Sequence, residues 1–152
     1  MSGSRIAAGE WIIICDGGKA LILENQGDAK FPNFVTREAR QQDNPSTAAQ
    51  GAQAPGRVHQ SNGTARSSVE QTDWHDEAEK AFLAKLAHDL NAAVEAGDCK
   101  ALTLVAPPRA LGVLRPHFSV KLKAAINQKI AKDYVSRPRY QIEKLLMESH
   151  QA

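Results

Sequence analysis

The stretch Leu102–Ala106, LTLVA, is apolar at nearly every position. A strand with one wet face alternates apolar and polar residues; a strand apolar on both faces must be covered on both, which favours parallel pairing in a sheet centre. Pro107 and Pro108 stop the run, and helix-forming residues resume at about Ala110 and continue to Arg115. The feature therefore asks for a strand handing the chain to a helix, inside a sheet flanked by helices.

The remaining elements fit around it. Trp11–Cys15 and Ala20–Leu23 are β-rich runs separated by Asp16-Gly17-Gly18, residues that tolerate the positive φ of a tight hairpin. Phe34–Arg37 supplies a third short strand behind Pro32. Thr72 or Asp73 suits a helix cap, with Asp76, Glu77 and Glu79 in the first turn. Ala78, Phe82, Leu86, Leu90, Ala93 and Val94 then recur at helical spacing until Gly97. Pro116 interrupts the next helix, and Ser119 can cap a further turn or two through Ala125. Ile126, Gln128 and Ile130 alternate as an edge strand would, and Pro138 opens a last helix with Ile142, Leu145 and Leu146 on its apolar face. The expected order is β-β-β-α-β-α-β-α, an α/β class with a mixed sheet, shared by ribonuclease H-like folds and several translation-machinery domains. A chain of 152 residues suits a single domain. Residues 1–9 are expected to be a flexible N-terminus and 38–72 a long, mobile loop, since the latter holds only Val58 and Val69 as large aliphatics.

Charge is segregated. Residues 73–99 carry seven acids against two lysines, a net of −5, while residues 100–144 carry ten Lys and Arg against Asp133 and Glu143, a net of +8. Such a separation suits either a basic surface facing an anionic partner or internal pairing between the two segments. Arg109 concentrates the same choice. It lies where a parallel strand would end and a helix begin, a position at which α/β sheets bind ligands, and it would favour an anion there or pair with the acidic helix.

Several chemistries find no complete motif. A two-metal nuclease of ribonuclease H type needs carboxylates on the first strand, first helix and central strand; Asp16 and Glu77 or Glu79 match two of these places, but LTLVA has none. His59, His75, His88, His117 and His150 show no metal-ligand spacing, no serine sits in a nucleophile elbow, and Cys15 and Cys99 read as small core residues. No cofactor and no metal are expected. WIIIC is far too short for a signal-peptide core or a membrane span, so the expectation is a cytoplasmic protein with no membrane association.

WIIICDGGKALIL, TDWHDEAEKAFLAKLAHDL, LTLVAPPRALGVLR and IAKDY together resemble the bacterial host-attachment protein family, over about Trp11 to Leu146. That family is similar to the central domain of archaeal and eukaryotic peptide-chain release factors, whose Gly-Gly-Gln loop between the strand meander and the long helix enters the peptidyl-transferase centre. The resemblance implies translation, with the 38–72 loop in the corresponding place. The loop holds Gln-Gly-Ala-Gln at 50–53 and HQSNG at 59–63, but no Gly-Gly-Gln. Positioning a hydrolytic water with a glutamine needs a backbone freed by paired glycines, which Gln50 and Gln53 lack.

The resulting expectation is a non-enzymatic intracellular domain that contacts structured RNA, ribosomal or transfer. Arg57 and Arg66 would anchor from the loop, and Arg109, Arg115, Lys121, Lys123, Lys129, Lys132, Arg137 and Arg139 would meet phosphates. The alternative is a protein–protein interaction module that affects host attachment indirectly. A third reading is a peptidyl-tRNA hydrolase acting through the 38–72 loop.

Overall fold

The computed structural model describes residues 6–42 and 64–148, with 64–74 as helical backbone alone. Its elements are β1 (Trp11–Cys15), β2 (Lys19–Asn25), β3 (Phe34–Gln41), α1 (Thr64–Ala96), β4 (Leu102–Val105), α2 (Pro108–Leu114), α3 (Val120–Ala125), β5 (Ile126–Ile130) and α4 (Arg139–Glu148), with a 3₁₀ turn at Arg115–His117. The strands form one mixed sheet in the order β3-β2-β1-β4-β5. β1–β2 and β2–β3 are antiparallel, whereas β1–β4 and β4–β5 are parallel. The interior place of LTLVA follows from its composition: every residue of β1 and β4 is buried.

The pleat divides those residues between two cores. Ile13 and Cys15 point, with Leu104, toward Leu83, Leu86 and Leu90 of α1 and Leu111 and Leu122 of α2 and α3. Ile12, Ile14 and Val105 point the other way, toward Ile142 and Leu146 of α4. Ser119 caps α3 by accepting a hydrogen bond from the Leu122 amide. Gly97 takes φ +84 directly after α1, and the Asp98 and Gly97 amides donate to the Ala93 and Val94 carbonyls, a Schellman closure. No helix among the described residues is long and apolar enough to cross a membrane.

Four local expectations need correction. β3 runs on to Gln41 rather than stopping at Arg37. It is an edge strand whose residues after Val35 are mostly exposed, so backbone pairing holds it without any apolar alternation to announce it. α1 begins at Thr64, eight residues ahead of the expected cap. Periodicity reports burial, and TARSSVEQ has good helix formers but no apolar stripe. The expected 38–72 loop is therefore strand to residue 41 and helix from residue 64; residues 43–63 lie outside the described residues. The hairpin turn does not use positive φ, which among the described residues occurs only at Gly9 and Gly97. Asp16 instead closes it by accepting from the Gly18 and Lys19 amides, each at 2.8 Å. Finally, Ile6 is fully buried in the α4-side core, so the expected flexible N-terminus does not extend to residue 9; residues 1–5 lie outside the described residues.

Two buried polar side chains tie the lower end of the sheet. Asn25 donates to the Ile6, Ala7 and Asp28 carbonyls and accepts from the Gly27 and Asn33 amides. Glu10, 2% exposed, accepts from the Thr103 hydroxyl at 2.7 Å, the Ala7 amide at 3.0 Å and the Asn127 side-chain amide at 3.1 Å. Nearby, a bulge at Arg37 breaks the β2–β3 register. It lays the guanidinium over the Trp11 ring at 4.2 Å while Arg37 pairs with Glu24 at 2.8 Å.

Candidate nucleic-acid interface

The upper end of the sheet, where β1 and β4 finish, opens into a cleft of about 360 Å³ lined by Asp16, Gly17, Glu79, Pro107, Arg109 and Val113 among others. Arg109 stands at the first turn of α2 and reaches across to α1, where its Nη2 meets Asp76 Oδ1 and lies 3.1 Å from Glu79 Oε1. The pairing with the acidic helix, one of the two readings open for this residue, is therefore present, and the Arg109 side chain is still 68% exposed. Gly17 lies close beneath the same glutamate: a Cβ there would sit 2.7 Å from Glu79 Cδ, so the Glu79 side chain would have to shift. Each candidate metal carboxylate in the cleft is thus engaged, Asp16 with its own turn and Glu79 with Arg109. Among the described residues no group of three His, Cys, Asp or Glu is disposed to hold a metal ion.

The other predicted cations separate into three kinds. Lys121 lies 3.7 Å from Glu95, and Arg139 donates to the Phe34 carbonyl, the Thr36 hydroxyl and Glu143, so both are shared with the fold. Arg115, Lys123, Lys129 and Lys132 are exposed and form no ion pair among the described residues. Arg115 stands in the 3₁₀ turn, Lys123 in α3, Lys129 in the edge strand β5 and Lys132 just past its end, and no acidic residue occurs between Arg115 and Lys132. Arg137 is exposed and stacks on Tyr134, its Cζ 4.8 Å from the ring centre. Arg57 lies outside the described residues, and Arg66 belongs to α1 as backbone alone.

The cation count passes over two tyrosines. From the β5–α4 connection into the first turn of α4 the chain reads YVSRPRY, in which arginines and aromatics interleave. Arg137 also donates to Gln141 Oε1 at 3.2 Å, and Gln141 Nε2 lies 3.3 Å from the Tyr140 hydroxyl. Tyr140 is 68% exposed, one of three large apolar side chains left in water among the described residues. The spacing of Tyr and Arg was the available signal; their mutual contact was not legible from it.

A wider, shallower groove runs between β3 and α1, with Ala39, Ala78, Ala81 and Phe82 in its lining. Its charges satisfy one another. Arg40 pairs with Glu38 at 2.7 Å and Asp89 at 2.8 Å, and Lys85 reaches Asp89 at 3.4 Å. Burial pushes the Asp89 carboxyl up, but the hydrogen bonds from Arg40 and Lys85 outweigh it and hold the group below its ordinary range.

No curated protein matches the chain. The family model of the bacterial archaeo-eukaryotic release factor family 12 matches residues 10–146, a span that includes every strand of the sheet, and the chain belongs to that family.

Proposed function

We propose that this chain works on the translation machinery as a non-enzymatic domain that contacts structured RNA, transfer or ribosomal, along the β5 side of its sheet. The observation that carries the reading is the acid-free sequence from Arg115 to Lys132, in which Arg115, Lys123, Lys129 and Lys132 are exposed and unpaired among the described residues. Cations without an internal carboxylate are free to replace the counterions of a phosphate backbone. Arg109, Lys121 and Arg139 are secondary contacts, since RNA would compete there with Asp76, Glu95 and Glu143. Arg57, ahead of α1, and Arg66, in its first turn, add anchors. Membership in a release-factor family supports translation as the setting, and a cytoplasmic location is part of the same proposal. The absence of paired glycines beside Gln50 and Gln53 supports binding rather than peptidyl-tRNA hydrolysis. An influence on host-cell attachment is then a downstream consequence of altered translation.

The test is the affinity for bulk tRNA measured against salt, together with ribosome co-sedimentation at low and high salt. Binding should weaken steeply as salt rises, and the combined variant Lys123→Ala, Lys129→Ala, Lys132→Ala should flatten the log–log slope by about three, one for each cation removed. Salt-insensitive capture of a protein in place of RNA, or an unchanged slope in the variant, would transfer the chain to the protein-interaction reading.

A further inference from the structure

We infer that the Tyr134–Arg137–Tyr140 array, from the β5–α4 connection and the first turn of α4, is a stacking platform for unpaired nucleobases of RNA. The inference rests on the RNA-contact reading above and specifies which part of an RNA this face would recognise.

The array has the three properties that such a platform requires. The first is flat, accessible surface. Tyr140 is 68% exposed, and Arg137, itself exposed, lays its guanidinium over the Tyr134 ring at 4.8 Å. A planar guanidinium already stacked on one side offers its other side to a second π-system. The second property is fixed orientation. Gln141 bridges the two groups, accepting from Arg137 at 3.2 Å and lying 3.3 Å from the Tyr140 hydroxyl. The start of α4 is held in turn by Arg139, which donates to the Phe34 carbonyl of β3, and by Ile142, 1% exposed in the core. Tyr134 is packed against the same core. Rings presented from a packed element lose little freedom when a base lands on them.

The third property is electrostatic continuity. Lys132 lies two positions before Tyr134, and from Arg115 to Arg137 the chain carries six Lys and Arg against the single acid Asp133. Phosphates tracking the β5 cations therefore lead to the aromatic array, the combination of basic track and stacking rings that binds single strands. Base faces in an A-form duplex are hidden in the stack, so the platform selects loops, bulges and ends.

The experiment compares a short oligouridine containing one 2-aminopurine with a blunt RNA duplex of the same length, using the full chain. Tyr140→Ala should weaken the single strand by about ten- to hundred-fold and abolish the quenching of 2-aminopurine, while leaving both the salt slope and duplex binding unchanged. Tyr140→Phe should keep the quenching, and Arg137→Lys, which keeps the charge but loses the plane, should reduce it. Salt-dependent RNA binding with identical single-strand affinity and quenching in Tyr140→Ala overturns the platform alone and leaves the RNA-contact reading standing. Failure of the parent chain to bind any RNA overturns both and assigns the exposed tyrosine to a protein partner.

Discussion

Replacing Glu10 with alanine tests how the lower end of the sheet is held. The carboxylate is 2% exposed and has three donors, of which the Thr103 hydroxyl is the closest at 2.7 Å. The donors are not equivalent. Ala7 and Asn127 belong to exposed positions and can turn to water once the carboxylate is gone. Thr103 is fully buried and cannot, so its hydroxyl would be left without an acceptor at a cost of about 1–3 kcal/mol. The vacated side-chain volume adds about 1–2 kcal/mol, and relief from burying a charge without a cation offsets a part of the sum. The expected loss is about 3 kcal/mol, a large share of the roughly 5–15 kcal/mol that stabilises a domain. It should lower the melting temperature by roughly 5–10 °C. Urea unfolding followed by circular dichroism gives the value from the midpoint at unchanged slope. A double-mutant cycle combining Glu10→Ala with Thr103→Val should return a coupling of about 1 kcal/mol or more, because the two side chains share one bond. A loss below about 1 kcal/mol together with zero coupling would falsify the account, showing that water or a neighbour satisfies Thr103 as well as Glu10 does.

Two further outcomes follow from the backbone and the thiols. Gly97→Ala meets no atom within 4 Å, so its cost is conformational alone: a side chain at φ +84 should remove about 1 kcal/mol in the same urea assay, and no loss would show that the α1 terminus relaxes freely. Burial, with Asp16 adding to it, pushes the Cys15 thiol up to about 12, and burial likewise lifts Cys99 to about 11, both from an ordinary 9.0. The folded chain thus holds these protons more tightly than the unfolded one; their contribution to stability is complete below pH 9 and is lost as pH climbs through 11 to 12. Thiol titration with a disulfide reagent at pH about 8 should therefore find neither cysteine in the native chain and both in urea, and prompt native labelling would contradict their burial.

The sequence was most informative where a segment buries apolar surface with a regular period. LTLVA declared an interior strand because both its faces are covered, and the α1 stripe declared a helix because one face is. The two-residue signal falls silent over Thr36–Gln41 because that stretch contributes to no core cluster, and over Thr64–Gln71 the sequence itself offers the 3.6-residue signal no apolar stripe to read. Turn chemistry misled for a related reason. Two glycines after an aspartate suggest positive φ, whereas the turn forms without it, and Gly17 instead lies close under the Glu79 side chain, 62 positions away in the chain. The interface was legible as a set of cations but not as a sorted set. That Arg109 is neutralised and Lys129 is not depends on α1 lying beside α2 and on β5 lying at an edge, facts that only the packed sheet supplies.

The parallel pairing of β1 with β4 joins Trp11 to Leu102, residues 91 positions apart. During synthesis at about 5–20 residues per second, the first strand therefore waits roughly 5–20 s for its neighbour to leave the ribosome. Throughout that interval WIIIC has the β2 hairpin on one side and an open backbone edge on the other, a short, flat, apolar segment of the kind that nascent chains use to stick to one another. Premature termination before LTLVA should thus yield an insoluble fragment rather than a smaller folded one, and the chain should make its heaviest demand on chaperones while it is still half-made.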